Sequence, residues 1–237
     1  VFKNSAFILR KNVLNFEKKI CKILGVKYCV SVNSGTDAIL FALSQVGLKK
    51  KDRVIIPSHT YVASVSAIDH VGAVPIFVEI GDDFNIDPKS IEKKITKKTK
   101  AIIPVHLYGK SCDMEKIIKI SNKYKLSIIE DCAQSQGAKF NNQFVGTFGS
   151  FGCFSFYPTK ILGGYGDGGF ILTNNFKLYS KIKKIRFYGI DTIDKKNSFY
   201  NKYYANINGL NSRLDEINSK ILNFKLSKID NFIKKRR

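Results

Sequence analysis

Apolar runs and amphipathic stretches alternate along the first 131 residues. Short apolar runs predict strands at 27–32, 53–57, 74–80, 100–106 and 126–131. Apolar residues at helical spacing predict helices between them, at 36–47, 61–72, 88–95 and 114–124. Continuous apolar strands separated by crossover helices are typical of a mostly parallel sheet with helices on both faces. The predicted fold class is therefore a layered α/β domain.

The pattern changes after Asp131. Residues 141–174 hold Gly-rich turns and short strands, with little helical periodicity. Helices are predicted again over 175–189 and from Asn211 onward, where apolar residues recur at helical spacing. We find no internal repeat, no low-complexity linker and no domain boundary, so the sequence predicts one large domain.

Composition limits the class of protein. With 237 residues, 44% of them hydrophobic, the chain can bury a substantial core. No apolar run approaches the roughly 18 residues of a membrane span, and the start lacks the apolar core of a signal peptide. We therefore expect a cytoplasmic protein without a membrane partner. Five cysteines without Cys-x-x-Cys spacing predict buried, reduced thiols, and three unclustered histidines predict no metal site.

The net charge of +21, from 40 basic and 19 acidic residues, is high enough to suggest a nucleic-acid partner. However, only six of the basic residues are arginine, and the lysines are spread along the chain as pairs on predicted helix faces. This distribution indicates a compositional bias toward lysine, so we expect no nucleic-acid partner. The same positive field would attract an anionic substrate.

A Ser-Gly-Thr turn lies between the first predicted strand and the helix that begins near Thr36. Free N–H groups at a helix start, together with the helix dipole, form a phosphate site, and Gly35 would let an anion approach closely. The same residues are also good capping residues for a helix without a ligand. The turn alone does not decide between the two.

Two adjacent acids, Glu130 and Asp131, end the strand at 126–131. Side chains alternate along a strand, so these two point to opposite faces, and one can enter a site while the other meets solvent or a structural partner. A carboxylate at such a place is costly to desolvate unless it meets a cation, which a ligand nitrogen could supply. An exposed strand end is the alternative.

Lys160 stands out among the lysines because of its context. It follows an apolar strand and Pro158, and it precedes the glycine-rich segment GGYGDGG. Such a place can hold an amine with little solvent, which favours Schiff-base chemistry. The spacing of Gly164, Gly166 and Gly169 also matches a dinucleotide-binding G-x-G-x-x-G, but that motif must open a helix. Here it runs into the strand-like FILT, which excludes the dinucleotide interpretation.

Six segments carry a resemblance to a known family: SGTDA, PSHTYVAS, EDCAQSQGA, FSFYPTK, YGDGG and GLNSRLDEI. In order and spacing they resemble the DegT/DnrJ/StrS family of sugar aminotransferases, which have the fold of the aspartate aminotransferases (fold type I). The resemblance runs from about residue 13 to the end. It implies that residues 1–237 are the large cofactor-binding domain, truncated at both ends and without the small C-terminal domain.

The resemblance implies pyridoxal 5'-phosphate (PLP) as the cofactor, with Lys160 as the lysine that binds its aldehyde as an imine. Asp131 would pair with the ring nitrogen, where an opposite charge favours the protonated ring. Gln134 would hydrogen-bond the ring hydroxyl, and Tyr61 would stack on the ring face. Lys160 would also move a proton during amine transfer.

The resemblance also implies how the cofactor phosphate is bound. The phosphate would lie on the backbone N–H groups of Gly35, Thr36 and Asp37, with the hydroxyl of Ser155 as a further donor. Asn211 would reach the same phosphate from a neighbouring subunit, which implies a homodimer with shared active sites. The role of Arg213 stays open.

The implied activity is transfer of an amino group, from glutamate by family habit, to a keto-deoxysugar nucleotide, typically for polysaccharide biosynthesis. Relatives that act on a 3-keto sugar tend to carry YPTK followed by GDGG, as here, whereas many 4-keto enzymes carry TGEGG. We therefore expect a 3-keto substrate. The nucleotide and the sugar cannot be deduced from the residues.

Three alternatives are kept. A dehydratase of the same fold would carry a histidine in place of the lysine, and Lys160 argues against it. The second is an inactive or regulatory fragment of the fold, since both ends of the chain look cut. Third, a basic nucleic-acid binder would show salt-dependent DNA affinity without taking up a cofactor.

Overall fold

The structure, a computed structural model, describes residues 5, 7–191 and 204–236. The strands are β1 Tyr28–Val32, β2 Arg53–Pro57, β3 Val74–Val78, β4 Thr99–Ile102, β5 Ser127–Asp131, β6 Lys139–Phe140, β7 Gln143–Phe144, β8 Phe151–Ser155 and β9 Gly169–Thr173. The helices are α1 Lys11–Leu24, α2 Gly35–Gln45, α3 Val62–His70, α4 Pro88–Lys94, α5 Met114–Tyr124, α6 Phe176–Ile185, α7 Glu216–Leu226 and α8 Ile229–Arg236. None of the helices in these residues is long and apolar enough to cross a membrane.

Seven strands form one mixed sheet in the order β1-β9-β8-β5-β4-β2-β3. Strand β9 runs antiparallel to both of its neighbours, and the remaining pairs from β8 to β3 are parallel. Strands β6 and β7 form a separate small hairpin. The predicted α/β class with a mostly parallel sheet is confirmed.

Helices cover both faces of the sheet. Helices α2, α3 and α6 pack on one face, against side chains such as Val54 and Ile56 of β2. Ile55 points the other way, toward the layer that holds α4 and α5, while α1 and α7 cover the same face near β9 and β8. Because successive side chains of a strand alternate between faces, strands covered on both sides read as continuous apolar runs.

Helix α1 is not predicted by the alternation described above. Its N-cap residue, Arg10, makes no side-chain capping hydrogen bond. Instead the buried carboxylate of Glu216, at the start of α7, accepts the N–H groups of Arg10, Asn12 and Val13 at 2.6, 2.9 and 3.1 Å. Some of these N–H groups lie in the first turn of α1, where the backbone N–H has no acceptor within the helix. The start of α1 is therefore capped from the far end of the chain.

Several other predicted boundaries differ from the structure. The last helix begins at Glu216 and not at Asn211, because the side chain of Asp215 caps it by accepting the N–H of Asn218 at 2.6 Å. The same helix is divided into α7 and α8 at residues 227–228. The strand predicted at 100–106 ends at Ile102.

Candidate active site

The predicted site residues meet at one edge of the sheet. Asp131 ends β5, Ser155 ends β8, and Gly35 starts the helix that follows β1. These three strands point the same way, and ligands of α/β folds collect at the carboxyl ends of such strands. A cavity of about 490 Å³ lies there. Seven of the nine predicted residues line it: Gly35, Thr36, Tyr61, Asp131, Gln134, Ser155 and Lys160.

The carboxylate of Asp131 is held in a fixed orientation inside the protein. Asp131 is only 5% exposed. Oδ2 accepts the hydroxyl hydrogen of Ser64 at 2.6 Å, and Oδ1 accepts the N–H of Ala133 at 3.0 Å. Both Ser64 and Asp131 line the cavity, so the carboxylate is buried, oriented and available to a cation there. The sequence did not single out Ser64, which looks like any small residue of a helix.

Glu130 points to the opposite face, as strand alternation predicts. Its fully buried carboxylate accepts the N–H groups of Gly146, Phe148 and Gly149 at 2.7, 2.8 and 2.7 Å. Its fourth donor is His106 Nε2, at 3.1 Å. The alternative of an exposed strand end is wrong for both acids. Hydrogen bonds from protein donors offset the free energy that burying each carboxylate costs.

The buried histidine beside Glu130 has a defined tautomer. His106 Nδ1 accepts the N–H of Cys112 at 3.1 Å, so the ring hydrogen lies on Nε2 and is donated to Glu130. His106, Glu130 and Cys132 also offer possible ligand atoms within 4.8 Å of one another. The hydrogen bonds of the first two account for this cluster without a metal ion.

The start of α2 combines the two interpretations that the sequence left open. Ser34 is the N-cap, and its hydroxyl accepts the N–H of Asp37 at 3.0 Å. Gly35 and Thr36 line the cavity, and their N–H groups precede the first intrahelical hydrogen bond. Asp37 does not line the cavity, and its carboxylate accepts the hydroxyl hydrogen of Ser212 at 2.6 Å. The helix is thus capped, and the N–H groups of Gly35 and Thr36, two residues that line the cavity, have no acceptor within the helix.

Gly35 is in tight contact with the end of β8. A Cβ atom at Gly35 would lie 2.7 Å from the Cβ and 3.2 Å from the Oγ of Ser155. The Oγ of Ser155 accepts the N–H of Tyr157 at 3.2 Å, which leaves its own hydrogen for donation. Helix start and hydroxyl are therefore side by side, in a cradle that only glycine fits.

Lys160 lies in the turn after β8 and is half-buried. It lines the cavity described above and also a second one of about 490 Å³, which Tyr108 and Ile233 border. Within the described part of the chain, its Nζ makes no hydrogen bond or ion pair. Lys160 therefore borders both cavities, and its amine has no partner among the described residues.

Two buried amides hold the segment around Lys160 in place. Gln136 donates to the carbonyl of Ser155 at 2.6 Å and accepts the N–H of Leu162 at 2.7 Å. Asn218 accepts the N–H of Tyr165 at 3.2 Å and donates to the carbonyl of Asp167 at 3.0 Å. The sequence gives no signal for either residue, although Gln136 lies inside the segment EDCAQSQGA.

Gln134 and Tyr61 lie on other walls of the first cavity. The Oε1 of Gln134 accepts the N–H of Tyr108 at 3.2 Å, so the NH₂ group of Gln134 is the part free to meet a ligand. Tyr61 precedes α3 and is 71% exposed although it lines the cavity. Such a ring is accessible for stacking.

Asn211 and Arg213 lie outside this cavity. Asn211 is exposed and forms an isolated bridge with Phe187. The guanidinium of Arg213 lies 5.1 and 5.6 Å from the ring centres of Phe187 and Tyr188. The structure contains one chain, so the proposed contribution of Asn211 to a neighbouring subunit stays a prediction.

Burial raises the pKa of two thiols close to this site. The pKa values of Cys132 and Cys153 lie well above the ordinary range, first because of desolvation and then because of the nearby carboxylates of Glu130 and Asp131. Cys21 is half-buried, and burial raises its pKa to about 11. All five cysteines are free, as predicted.

Comparison with known proteins identifies a family. The sequence model of the DegT/DnrJ/EryC1/StrS aminotransferase family matches residues 1–237. The chain is 45% identical to dTDP-3-amino-3,6-dideoxy-alpha-D-galactopyranose transaminase of Aneurinibacillus thermoaerophilus, over 100% of the chain and 63% of that protein. It is 39% identical to dTDP-3-amino-3,4,6-trideoxy-alpha-D-glucose transaminase of Micromonospora megalomicea subsp. nigra, over 100% of the chain and 62% of that protein. The chain thus spans less than two thirds of the length of these curated relatives.

A solved structure agrees with this comparison. S. venezuelae DesV in complex with a ketimine intermediate superposes with a TM-score of 0.90 at 37% identity, covering 97% of the chain and 60% of DesV. Other solved structures with this fold hold bound PLP or PMP.

Proposed function

Because the chain belongs to the DegT/DnrJ/EryC1/StrS aminotransferase family, we propose that it binds PLP through Lys160 and transfers an amino group to a keto-sugar nucleotide. One observation carries the proposal. Lys160, Asp131 with its buried carboxylate, and Gly35 and Thr36 at the start of α2 all line the same cavity. These are the three kinds of group that the aldehyde, the ring nitrogen and the phosphate of PLP require.

The residues present fit this cofactor. Asp131 would hold the ring nitrogen, since its carboxylate is buried and already oriented by Ser64. Gly35 and Thr36 would hold the phosphate with their N–H groups, and Ser155 has a hydroxyl hydrogen to add. When bound, PLP supplies an electron sink for the carbanion that forms when the amino donor loses its α-proton.

Gln134 and Tyr61 would position the ring. The Oε1 of Gln134 is engaged by Tyr108, so its NH₂ group would donate to the ring oxygen. Tyr61 would cover one ring face, because its side chain lines the cavity and is largely exposed. The hydrogen bond from the N–H of Tyr108 fixes Gln134 for its role.

Lys160 would also move the proton. Its Nζ has no protein partner in the described chain, and Lys160 borders both the cofactor cavity and the second cavity. With its amine free, Lys160 would take a proton from one carbon and return it to another. Gln136 and Asn218 limit the movement of the segment that carries it.

The proposed acceptor is a 3-keto-deoxysugar on a nucleoside diphosphate, and the proposed donor is glutamate. Two relatives with 39% and 45% identity are named for dTDP-linked 3-amino sugars, and this chain has the YPTK and GDGG segments. The net charge of +21 would attract such an anion. We also propose a homodimer in which Asn211 completes the phosphate site of the partner subunit.

A transfer assay tests the function. The PLP-loaded protein should convert glutamate to 2-oxoglutarate and aminate a dTDP-linked 3-keto-6-deoxysugar. Replacing Lys160 by Ala or Arg should lower the rate by at least about 100-fold, since general acid–base groups contribute that much. The matched control is Lys177→Ala, an exposed lysine on α6 that should leave the rate unchanged. Full activity of both Lys160 variants would refute the proposal.

A further inference from the structure

Three exposed aromatic rings form a cluster beside the proposed active site. His59, Phe84 and Tyr108 come from the loops that follow β2, β3 and β4. Their ring centres are 5.9 Å (His59–Phe84), 6.1 Å (His59–Tyr108) and 6.0 Å (Phe84–Tyr108) apart. His59 Nε2 and the hydroxyl of Tyr108 are hydrogen-bonded at 3.0 Å. We call this cluster the aromatic platform.

Two members of the aromatic platform have an unfavourable backbone conformation. Phe84 has φ of 64° and Tyr108 has φ of 54°, in the left-handed region that bulky side chains rarely adopt. Phe84 and Tyr108 are 52% and 67% exposed, so burial of their rings does not offset the strain. Strained residues that the surrounding structure enforces are concentrated at ligand sites.

A buried amide enforces this arrangement. Asn85, which is 1% exposed, accepts the N–H of Leu107 at 3.0 Å through Oδ1 and donates to the carbonyl of Lys110 at 3.3 Å. It thereby joins the loop of Phe84 to the loop of Tyr108. The N–H of Tyr108 is fixed in turn by Gln134, at 3.2 Å. The two exposed rings are thus placed by polar contacts and not by packing in a core.

The aromatic platform is continuous with the proposed active site. Tyr108 borders the second cavity, whose wall also includes Lys160 and Gln134. His59 lies just before Tyr61, which lines the first cavity. A ligand whose reacting carbon lies at Lys160 can therefore extend past Tyr108 onto the exposed rings.

We propose that the aromatic platform binds the nucleobase of the sugar nucleotide by stacking, while the sugar lies at Lys160. Every base has a planar π-face that stacks on aromatic side chains, and this interaction tolerates different bases. Lys110, on the same loop as Tyr108, could attract the diphosphate, since its only described ion pair is with Asp83, at 3.7 Å. The inference rests on the proposed function and adds where the nucleotide binds.

Titration of the PLP-loaded protein with dTDP and UDP tests the inference. The double substitution Phe84→Leu and Tyr108→Leu should weaken the binding of both by at least about 10-fold, which corresponds to ~1.4 kcal/mol. Leucine keeps a bulky apolar side chain but removes the π-face. Binding of inorganic pyrophosphate should stay the same in this variant, because it has no base. Tyr108→Phe should keep most of the affinity for dTDP, since the ring remains.

A matched control exists at the other edge of the sheet. Tyr28, Phe176 and Tyr179 form a similar cluster, with ring centres 4.6 to 6.2 Å apart. Phe176 is also exposed, but it has no positive φ and lines neither cavity. Phe176→Leu should leave the dTDP affinity unchanged.

The outcomes separate this inference from the proposed function. Unchanged dTDP affinity in the double variant, with PLP bound and glutamate still converted, would overturn the inference alone. An equal loss of pyrophosphate binding would also overturn it, since the base would then not be the group recognised. If the wild-type protein takes up no PLP, the proposed function fails whatever the nucleotide affinity.

Discussion

Replacing Gly35 by Ala should damage the phosphate cradle. The added Cβ would lie 2.7 Å from the Cβ of Ser155, whereas carbon atoms in contact prefer about 3.5–4.0 Å. The start of α2 and the end of β8 must therefore move apart by roughly 1 Å. We expect the free energy of unfolding to fall by about 1–3 kcal/mol, as for other overpacked sites.

The loss of PLP affinity follows from the same movement. A hydrogen bond to a charged group contributes about 1.5–3 kcal/mol, and a shift of this size would break or lengthen one of those donated by the helix start or by Ser155. The dissociation constant of PLP should therefore rise by about 10- to 150-fold. The measurement is titration of the cofactor-free protein with PLP, followed by visible absorbance, with urea unfolding in parallel.

Two variants make this prediction specific. Gly81→Ala is the matched control, since Gly81 has no positive φ and the nearest atom to its new Cβ is a carboxylate oxygen of Asp83, at 3.3 Å. The double variant Gly35→Ala with Ser155→Gly should regain most of the stability but not the PLP affinity, because the hydroxyl is lost. Wild-type PLP affinity in Gly35→Ala would refute the reasoning.

Three further predictions concern buried groups around the site. Ser64→Ala should lower the free energy of unfolding of the cofactor-free protein by about 1.5–3 kcal/mol, because buried Asp131 loses a donor. Ser64→Thr should restore the stability, since it keeps the hydroxyl. Equal urea midpoints for the wild type and both variants would contradict the prediction. Glu216→Ala should lower the free energy of unfolding by at least about 3 kcal/mol, since several N–H groups of α1 lose their acceptor. Hydrogen exchange should show that the start of α1 opens first, and unchanged exchange would disprove the capping role. Cys132 and Cys153 should resist iodoacetamide at pH 8 until the protein is unfolded in urea, because their raised pKa values keep them as thiols; fast labelling of the folded protein would count against their burial.

The fold was largely predictable because its strands are covered on both faces. Residues such as Val54, Ile55 and Ile56 are all buried, so the run reads as a strand without any knowledge of its neighbours. Helix α1 was missed since its cap, Glu216, is distant in sequence. The apolar periodicity predicts the last helix from Asn211, whereas α7 begins at Glu216, after the local capping residue Asp215.

The site was predictable where its chemistry is local. Lys160, Asp131 and Gly35 lie in motifs whose order along the chain is specific, and the structure brings them to one cavity. The availability of the first helical N–H groups was not predictable. The side chain of Ser34 accepts the N–H of Asp37, so this N–H is not free for a ligand.

Partners supplied by distant elements were missed altogether. Ser64 and Asn85 have no unusual sequence context, and their roles come from contacts across the fold with Asp131 and with the loop of Tyr108. A hydroxyl or an amide in an ordinary helix or loop gives no signal in one sequence. Only the tertiary structure shows which of them meet a buried charge or a strained turn.

The central claim is that one lysine, at position 160, holds the cofactor. Reduction of the PLP-loaded protein with borohydride, followed by digestion and mass spectrometry, tests this most directly, because reduction makes the imine permanent. We predict one modified peptide, carrying the pyridoxyl phosphate on Lys160, although the chain has 34 lysines. Modification of other lysines with Lys160 unmodified would contradict the account.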